Sequence, residues 1–570
     1  MPKFIFVTGG FISGIGKGVT TASLAYLLKK QGYKISIAKC ENYLNVDSGT
    51  INPVEHGDPF LTKNGYETDM DFGTYERFLN QEMDGRNFIT MGQLYRTVID
   101  RERAFGYDGK TVEPVESIAL ELIDRLTEIV KRETPDIVMV ELGGTVGEFQ
   151  NYLYYEATKL MNFQFGIDVY HLHVAYIPFI NCLGEPKSKP VQLSVKSLNS
   201  FGITPDFLVV RTEVPLDDKR KIKLVKTCNI RKEYIIENLT KKSIYEVPID
   251  FDNQNFSQIV LSKMNLKSKE KIDLSDVQDI LSRIENVKRQ RLEEVPTLAI
   301  VGKYFSTGEY SNLDSYSALI EAVKHSSLYK NQQVNIKYID SETYETDILE
   351  QLVGINGLIV PIGFGSRGVE GKITAIKYAR ENKIPYLGLC FGMQLACIEW
   401  ARNVMGIENA TSEEINPLSF DKIIHQIPEV EKYVRIKSKG VSMRLGEYPC
   451  ELLENSLISD IYNGAESVSE RHRHRFEFNN EYREQFEESG FIFSGVSPDN
   501  FFVEMIELPT NIHPFFVATQ AHPEYKSTPF NPHPMFVRFI EATTSHKTGD
   551  IAKLTKKNKR LMKKIPQRQM

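Results

Sequence analysis

The chain has 570 residues, more than one core holds, since single domains rarely exceed about 250–300 residues, so two large domains are expected. Hydrophobic residues make up 41% and charged residues 25%, as in soluble globular proteins, and the formal net charge of −6 argues against a dedicated nucleic-acid binder. No stretch reaches the roughly 20 apolar residues of a membrane-spanning helix, the first residues lack the long apolar region and cleavage site of a signal peptide, and the six scattered cysteines form no metal-type pairs, which points to a reduced, cytoplasmic setting.

In chain order, strands are predicted at Phe4–Thr8, Ile35–Cys40, Asp136–Leu142, Val169–Tyr176 and Phe207–Thr212. Helical periods such as Ala22–Lys30 and Val115–Arg132 lie between them. This alternation predicts an α/β domain with a doubly wound, mainly parallel sheet over 1–265. Residues 266–295 are rich in Lys, Glu, Asp and Gln, with a weak helical period through Val277, Ile280, Leu281 and Ile284. They read as a linker with an exposed helix. A second domain of the same class is expected over 296–545, with strands at Thr297–Tyr304, Val334–Ile339, Gly357–Ile362 and Ile384–Leu389 and β-rich segments near 441–446 and 514–521. The tail, 546–570, carries nine Lys/Arg after His546 against one Asp. It reads as solvated and disordered, or as a contact for an anionic partner.

Between the first strand and the first helix lies Val7–Val19, with glycines at 9, 10, 14, 16 and 18 and a lysine at 17. Glycines let backbone N–H groups approach phosphates, a helix N-terminus adds partial positive charge, and Lys17 can reach terminal phosphates. The strict phosphate-loop pattern is not met: Gly10 to Gly16 is one residue too long, and Gly18 stands where a hydroxyl is usual. A purely structural turn is the alternative, and Lys17 favours nucleotide binding. Asp71 follows a polar turn, where a helix cap is the bland reading. Glu141 ends an apolar strand, where a charge needs a partner and where α/β ligands bind.

In the second half, Gly388-x-Cys390-x-Gly392 follows a strand, the arrangement of a nucleophile elbow. A lone cysteine there is usually a small buried hydrophobe. Downstream, His522 could activate Cys390, and Glu524 could orient His522.

These segments resemble the CTP synthase family. The likeness begins at Val7–Val19 and continues through Tyr43–Thr50, Glu67–Phe78, Val140–Gly147 and Gly184–Gln192, in the family's order and spacing, over about 1–545. The Cys390…His522-x-Glu524 order resembles class I glutamine amidotransferases. The resemblance implies an amidoligase domain joined to a glutaminase, converting UTP to CTP with ATP and ammonia from glutamine. It implies a 4-phosphorylated UTP intermediate and a Cys390 thioester. Ser13, Gly14, Ile15, Gly16, Lys17, Gly18, Val19, Lys39 and Asp71 match the ATP site, and Asp71 and Glu141 the ligands of Mg²⁺. Ser13, Glu148, Phe149, Gln150, Lys187, Lys189, Gln192 and Lys223 match the UTP and CTP contacts. Gly363, Phe391, Gln394, Glu414 and Arg475 match the glutamine site, with Gly363 and Phe391 as oxyanion donors. Pro53, His56 and Pro59 match the border of a shielded ammonia passage. GTP as allosteric activator, CTP as feedback inhibitor, a homotetramer and filaments are implied in the same way.

The chain departs from the family's usual pattern at Cys40–Asn42, Pro59, Glu116–Ser117, Glu148–Gln150, Ile362 and the segment from Gly440. None of these changes removes a charged catalytic group. They leave open a relative that aminates another nucleotide or a pyrimidine-like acid. A filament-forming protein without activity is also open, although retention of Lys17, Asp71, Glu141, Cys390, His522 and Glu524 weighs against it.

Overall fold

The apolar runs of the first part pair in parallel, giving a seven-stranded sheet in the order Ile235–Leu239, Phe207–Thr212, Val169–Ile177, Lys3–Gly9, Ile137–Leu142, Ile35–Glu41, Phe88–Thr90. A parallel sheet covered on both faces needs nearly continuous apolar strands rather than alternating ones, and Ile137–Leu142 is buried along its whole length. On one face, the helix Pro114–Glu133 packs Ile118, Leu122, Leu126 and Ile129 with Ala38, Val138 and Val140. Each such side chain contributes roughly 1.5–3 kcal/mol by burial. Farther along the same face, Val191 and Val195 of the helix Lys189–Ser200 meet Ala175, Leu208 and Val210.

The computed structural model describes residues 2–307, 310–311, 313–343, 345–428, 435–436 and 442–550. The basic tail beyond 550, the His56 side chain and the departure at Gly440 and Val441 lie outside the described residues. The chain divides into two compact units: 1–50 with 71–281, and 51–70 with the residues from 282 onward. This differs from the contiguous division expected from the sequence, because residues 51–70 fold with the second unit. The helix Ser275–Val287 crosses the 281/282 division and is not the exposed linker helix expected. Val277 and Ile280 are buried, and Asp276 accepts from Tyr26 Oη at 2.5 Å and pairs with Lys30 at 2.7 Å.

Among the described residues, the second unit holds a ten-stranded sheet. Its parallel half runs Asn335–Asp340, Thr297–Gly302, Gly357–Val360, Tyr386–Leu389, Phe516–Thr519. Antiparallel strands extend it: Val503–Glu507, Ile492–Val496, Ser442–Leu452 and, at the end of that path, Arg435–Ile436. Ser467–His474 also pairs with Ser442–Leu452. The parallel strands carry Cys390 and His522 at their C-terminal ends, because Tyr386–Leu389 and Phe516–Thr519 are neighbours in register.

Candidate functional site

In the first unit, the C-terminal ends of two neighbouring strands and the start of the helix Asp71–Leu79 gather a cluster of charge. Lys39 and Glu141 are direct register partners on adjacent parallel strands. The Lys39 ammonium lies 2.5 Å from Asp71 Oδ2, 2.8 Å from Glu141 Oε1 and 3.3 Å from Glu41 Oε1. Tyr75 Oη donates to Glu141 Oε2 at 2.6 Å. Burial by itself would lower the Lys39 pKa, but Asp71 and Glu141 overturn that and hold it well above its ordinary value. Asp71 shows the reverse balance: burial would raise it, and Lys39 keeps it below the usual carboxylate range. Burial raises Glu41 in spite of Lys39.

Gly14 and Gly16 take the left-handed backbone that turns the loop into the helix beginning at Lys17. Lys17 Nζ donates to Gly144 O at 2.5 Å, and burial, then the Lys39 charge, lowers its pKa. The departure at Gly18 has a steric cause. A Cβ there would lie 2.5 Å from Asp71 Oδ1, so the oxygen offered at this point of the loop belongs to a carboxylate instead of a Ser or Thr hydroxyl.

Among the described residues, no group of three or more His, Cys, Asp or Glu could hold a metal ion. Two hard carboxylates nevertheless suit Mg²⁺, which usually takes one or two together with phosphate oxygens and water. Asp71, partly exposed, and Glu141, buried, converge on one point through Lys39 and fit that donor set.

The residues expected at UTP lie on four segments. Gln192 Nε2 donates to Ser188 Oγ at 2.9 Å, and Lys187 pairs with Glu185, at the turn into the helix that starts at the exposed Lys189. Lys223 is exposed on the helix Asp218–Cys228, and Ser13 is exposed in the loop. Glu148 turns inward, accepting from Thr145 N at 2.6 Å, from Thr145 Oγ1 at 2.8 Å and from Asn42 Nδ2. Phe149, 84% exposed, and Gln150 face solvent.

In the second unit, Cys390 sits between the strand Tyr386–Leu389 and the helix Phe391–Asn403 at φ 51° and ψ −101°. A non-glycine residue holds such a conformation only where its surroundings impose it. Gly392 is required beside it, since a Cβ there would collide with Val360 O. Cys390 Sγ lies 3.7 Å from Arg473 O and accepts from Gln520 Nε2 at 3.4 Å. His522 Nδ1 is 2.7 Å from Glu524 Oε1, which leaves Nε2 buried, with the Cys390 side chain close enough to act on the ring electrostatically. Burial would lower the His522 pKa, but Glu524 and Cys390 together raise it to about 10. The imidazole is therefore protonated at neutral pH, the state in which it supports a thiolate and can give a proton to a leaving amine.

The residues expected at glutamine surround this pair. Gln394 Nε2 donates to Phe476 O at 2.9 Å and to Gln520 Oε1 at 3.1 Å, and Glu414 Oε1 accepts from Gly365 N at 2.8 Å. Arg475 is exposed at the bend after the strand Ser467–His474. The run Arg471–His474, which alone could pass for a solvated face, is buried. Its two arginines have partners in 51–70: Arg473 Nε bonds Glu67 at 2.6 Å, with Asp58 at 3.5 Å, and Arg471 Nη1 bonds Leu61 O at 3.0 Å. Tyr525, whose ring stacks on His522 at 5.2 Å, donates to Pro59 O at 3.0 Å and to Asp58 Oδ2 at 3.2 Å. Ser315 Oγ donates to Pro53 O at 3.2 Å. Sequence reasoning missed Gln520, Asp58 and Glu67. Only the closeness of Gln520 to His522 in the chain could have marked one of them.

The family description "CTP synthase N-terminus" matches residues 3–266, and "Glutamine amidotransferase class-I" matches 312–542. A CTP synthase of Halalkalibacterium halodurans is 44% identical over 543 residues, covering 95% of this chain and 99% of its own length. One of Carboxydothermus hydrogenoformans is 45% identical over 545 residues, with the same coverage of 95% and 99%. A solved glutaminase domain of CTPS from Trypanosoma brucei, with bound acivicin, is 34% identical at TM-score 0.39, covering 44% of this chain and 94% of its own.

Proposed function

Since the chain belongs to the CTP synthase family, it aminates UTP to CTP in an ATP-driven reaction with nitrogen from glutamine, and we propose that the two clusters described above divide this work. The observation that carries the division is the Cys390–His522–Glu524 arrangement, complete within the second unit and drawing no group from the Lys39 cluster.

In the glutaminase cluster, Cys390 thiolate attacks the glutamine γ-carbonyl, and the charge moving onto its oxygen is met by the N–H groups of Gly363 and Phe391. The His522 imidazolium gives its proton to the departing nitrogen, and a thioester remains for water to hydrolyse. Gln394, Glu414 and Arg475 hold the substrate, the last by charge with its carboxylate. Ammonia is mostly protonated in neutral water and ammonium is not a nucleophile, so a shielded passage bordered by Pro53, His56 and Pro59 fits the chemistry. The contact of Pro59 O with Tyr525, the ring stacked on His522, supports this role.

In the synthase cluster, ATP phosphates lie against the loop Ser13–Val19, with Lys17 and Lys39 offsetting their charge. Asp71 and Glu141 hold Mg²⁺, which when bound neutralises phosphate charge and aligns the transferring group. UTP is held through Ser13, Lys187, Lys189, Gln192 and Lys223. Its 4-oxygen is phosphorylated to make a leaving group, and ammonia then displaces phosphate at C4. Positioning and charge do most of this work. CTP shares the phosphate contacts as feedback inhibitor, its ring beside Glu148, Phe149 and Gln150. GTP as activator, a homotetramer and a cytoplasmic setting complete the reading, supported by the family likeness.

The test is purified protein with ATP, Mg²⁺, each nucleoside triphosphate in turn, and glutamine or ammonia, with the products separated. CTP from UTP with either donor is expected. Amination of another base in preference to UTP would overturn the substrate assignment.

A further inference from the structure

Lys372 is fully buried, and the reaction as described gives it no part. It lies in the first turn of the helix Val369–Glu381. Among the described residues, its Nζ has no carboxylate partner and lies 3.1 Å from Pro361 O and 3.4 Å from Ile362 O. Burial, then the nearby Lys303 charge, lowers its pKa well below the ordinary value. Two carbonyls stand within reach of its N–H groups.

The second carbonyl gives the lysine its significance. Ile362 O and Gly363 N–H belong to one planar trans peptide, so they point in opposite directions. A donor that grips the oxygen therefore sets where the N–H points, and by drawing electron density toward the oxygen it strengthens that N–H as a donor. Tyr316 Oη donates to the same Ile362 O at 3.4 Å. Lys372 also reaches the other expected donor residue, with Nζ 5.3 Å from the centre of the Phe391 ring. A Cβ on residue 363 would lie 3.1 Å from Lys372 Nζ and 3.2 Å from Phe391 Cδ1, so glycine lets these three groups close up. The neighbouring carbonyls of Phe364, Gly365 and Arg367 all accept from Lys303 Nζ, so two lysines hold the segment from below.

We propose that Lys372 is a positioning residue for glutamine hydrolysis, fixing the Ile362–Gly363 peptide so that its N–H meets the oxyanion. The proposal rests on the reading of Gly363 and Phe391 as oxyanion donors. In the step concerned, the Cys390 sulfur forms a bond to the γ-carbon and the carbonyl π pair moves onto oxygen. The C–N bond then breaks as the nitrogen takes a proton from His522, the π bond re-forms, and ammonia leaves.

The test compares native protein with Lys372→Met, which keeps bulk but has no N–H, and with Lys372→Gln, which restores an N–H donor. The probe is the γ-aldehyde of glutamate, which adds the Cys390 thiolate to give a tetrahedral adduct with no leaving group. In Lys372→Met, kcat for glutamine hydrolysis should fall about 10- to 100-fold, somewhat less than loss of a whole oxyanion donor. Inhibition by the aldehyde should weaken by a similar factor. KM for glutamine, alkylation of Cys390 by iodoacetamide and ammonia-dependent CTP synthesis should hold. Lys372→Gln should recover part of the loss, and if Lys372→Met fails to fold, Lys372→Gln carries the same comparison against native protein. Unchanged kcat and aldehyde inhibition in a folded variant overturn the proposal. So does a fall in alkylation or in the ammonia-dependent rate that matches the fall in kcat, since either marks a role in thiolate formation or general packing. If native protein binds the aldehyde no more tightly than glutamine, the oxyanion reading itself fails, whatever Lys372 does.

Discussion

Around Lys39, three carboxylates crowd one ammonium, and Lys17 turns to a backbone carbonyl. Around Cys390, one imidazolium lies near one sulfur, with the backbone already bent into the attacking geometry. On the proposed reading, the groups that would meet phosphates and Mg²⁺ in the first cluster are paired with one another, so nucleotide binding would exchange internal ion pairs for external ones. The second cluster has its donor, nucleophile and orienting carboxylate in place before glutamine arrives. Charge that must move suits a site completed by its ligands, and buried, fixed charge suits covalent catalysis. The substitutions below test that contrast, from the largest expected effect to the smallest.

Lys17→Ala and Glu141→Ala should each lower CTP formation by at least about 100-fold with glutamine and with ammonia, the loss expected for removing a charge clamp. Assays of both donors check this, and near-normal ammonia-dependent turnover in either variant would sink the assignment of the Lys39 cluster. Cys390→Ala should abolish glutamine-dependent synthesis and leave ammonia-dependent synthesis intact. If that variant still used glutamine well, the two clusters would not divide the reaction.

Glu524→Gln should reduce glutamine hydrolysis by about 100-fold or more, as loss of acid–base catalysis does. It should also alter the pH dependence of stability. His522 is raised from its ordinary value of 6.5 to about 10 in the folded protein. Its ion pair therefore stabilises fully below about pH 6.5, and that contribution is lost as pH rises through about 10. Urea unfolding of native protein across that window should show a decline that is flattened in Glu524→Gln. Identical slopes would mean that His522 is not held as a cation.

The smallest effect is expected at Gln150, exposed at the end of the departure Glu148–Gln150. Gln150→Glu should tighten CTP inhibition about tenfold, the worth of one charge-assisted hydrogen bond. The measurement is the CTP inhibition constant at fixed UTP, and an unchanged constant would mean that this position does not read the product.

Much of this architecture was legible in the chain. The runs at Phe4–Thr8, Ile35–Cys40 and Phe207–Thr212 are strands within a residue or so of expectation, because strands buried on both faces announce themselves as unbroken apolar segments. The elbow at Cys390 was legible from its flanking glycines, and its partners from the His-x-Glu spacing. The strand Ser467–His474 was not, since its residues are mostly polar and its burial rests on ion pairs that composition does not reveal.

By itself, the sequence determined the family likeness and the α/β class and named the candidate site residues, since those depend on local spacing and residue type. Only the tertiary structure decided that Asp71 crowds Gly18, that 51–70 folds with the second unit, and that Lys303 and Lys372 hold the carbonyls of the segment around Gly363. Each of these depends on groups distant in the chain. Arg473 and Glu67 are 406 residues apart. A buried charge is stable only when its partner arrives, and no local pattern records where that partner comes from.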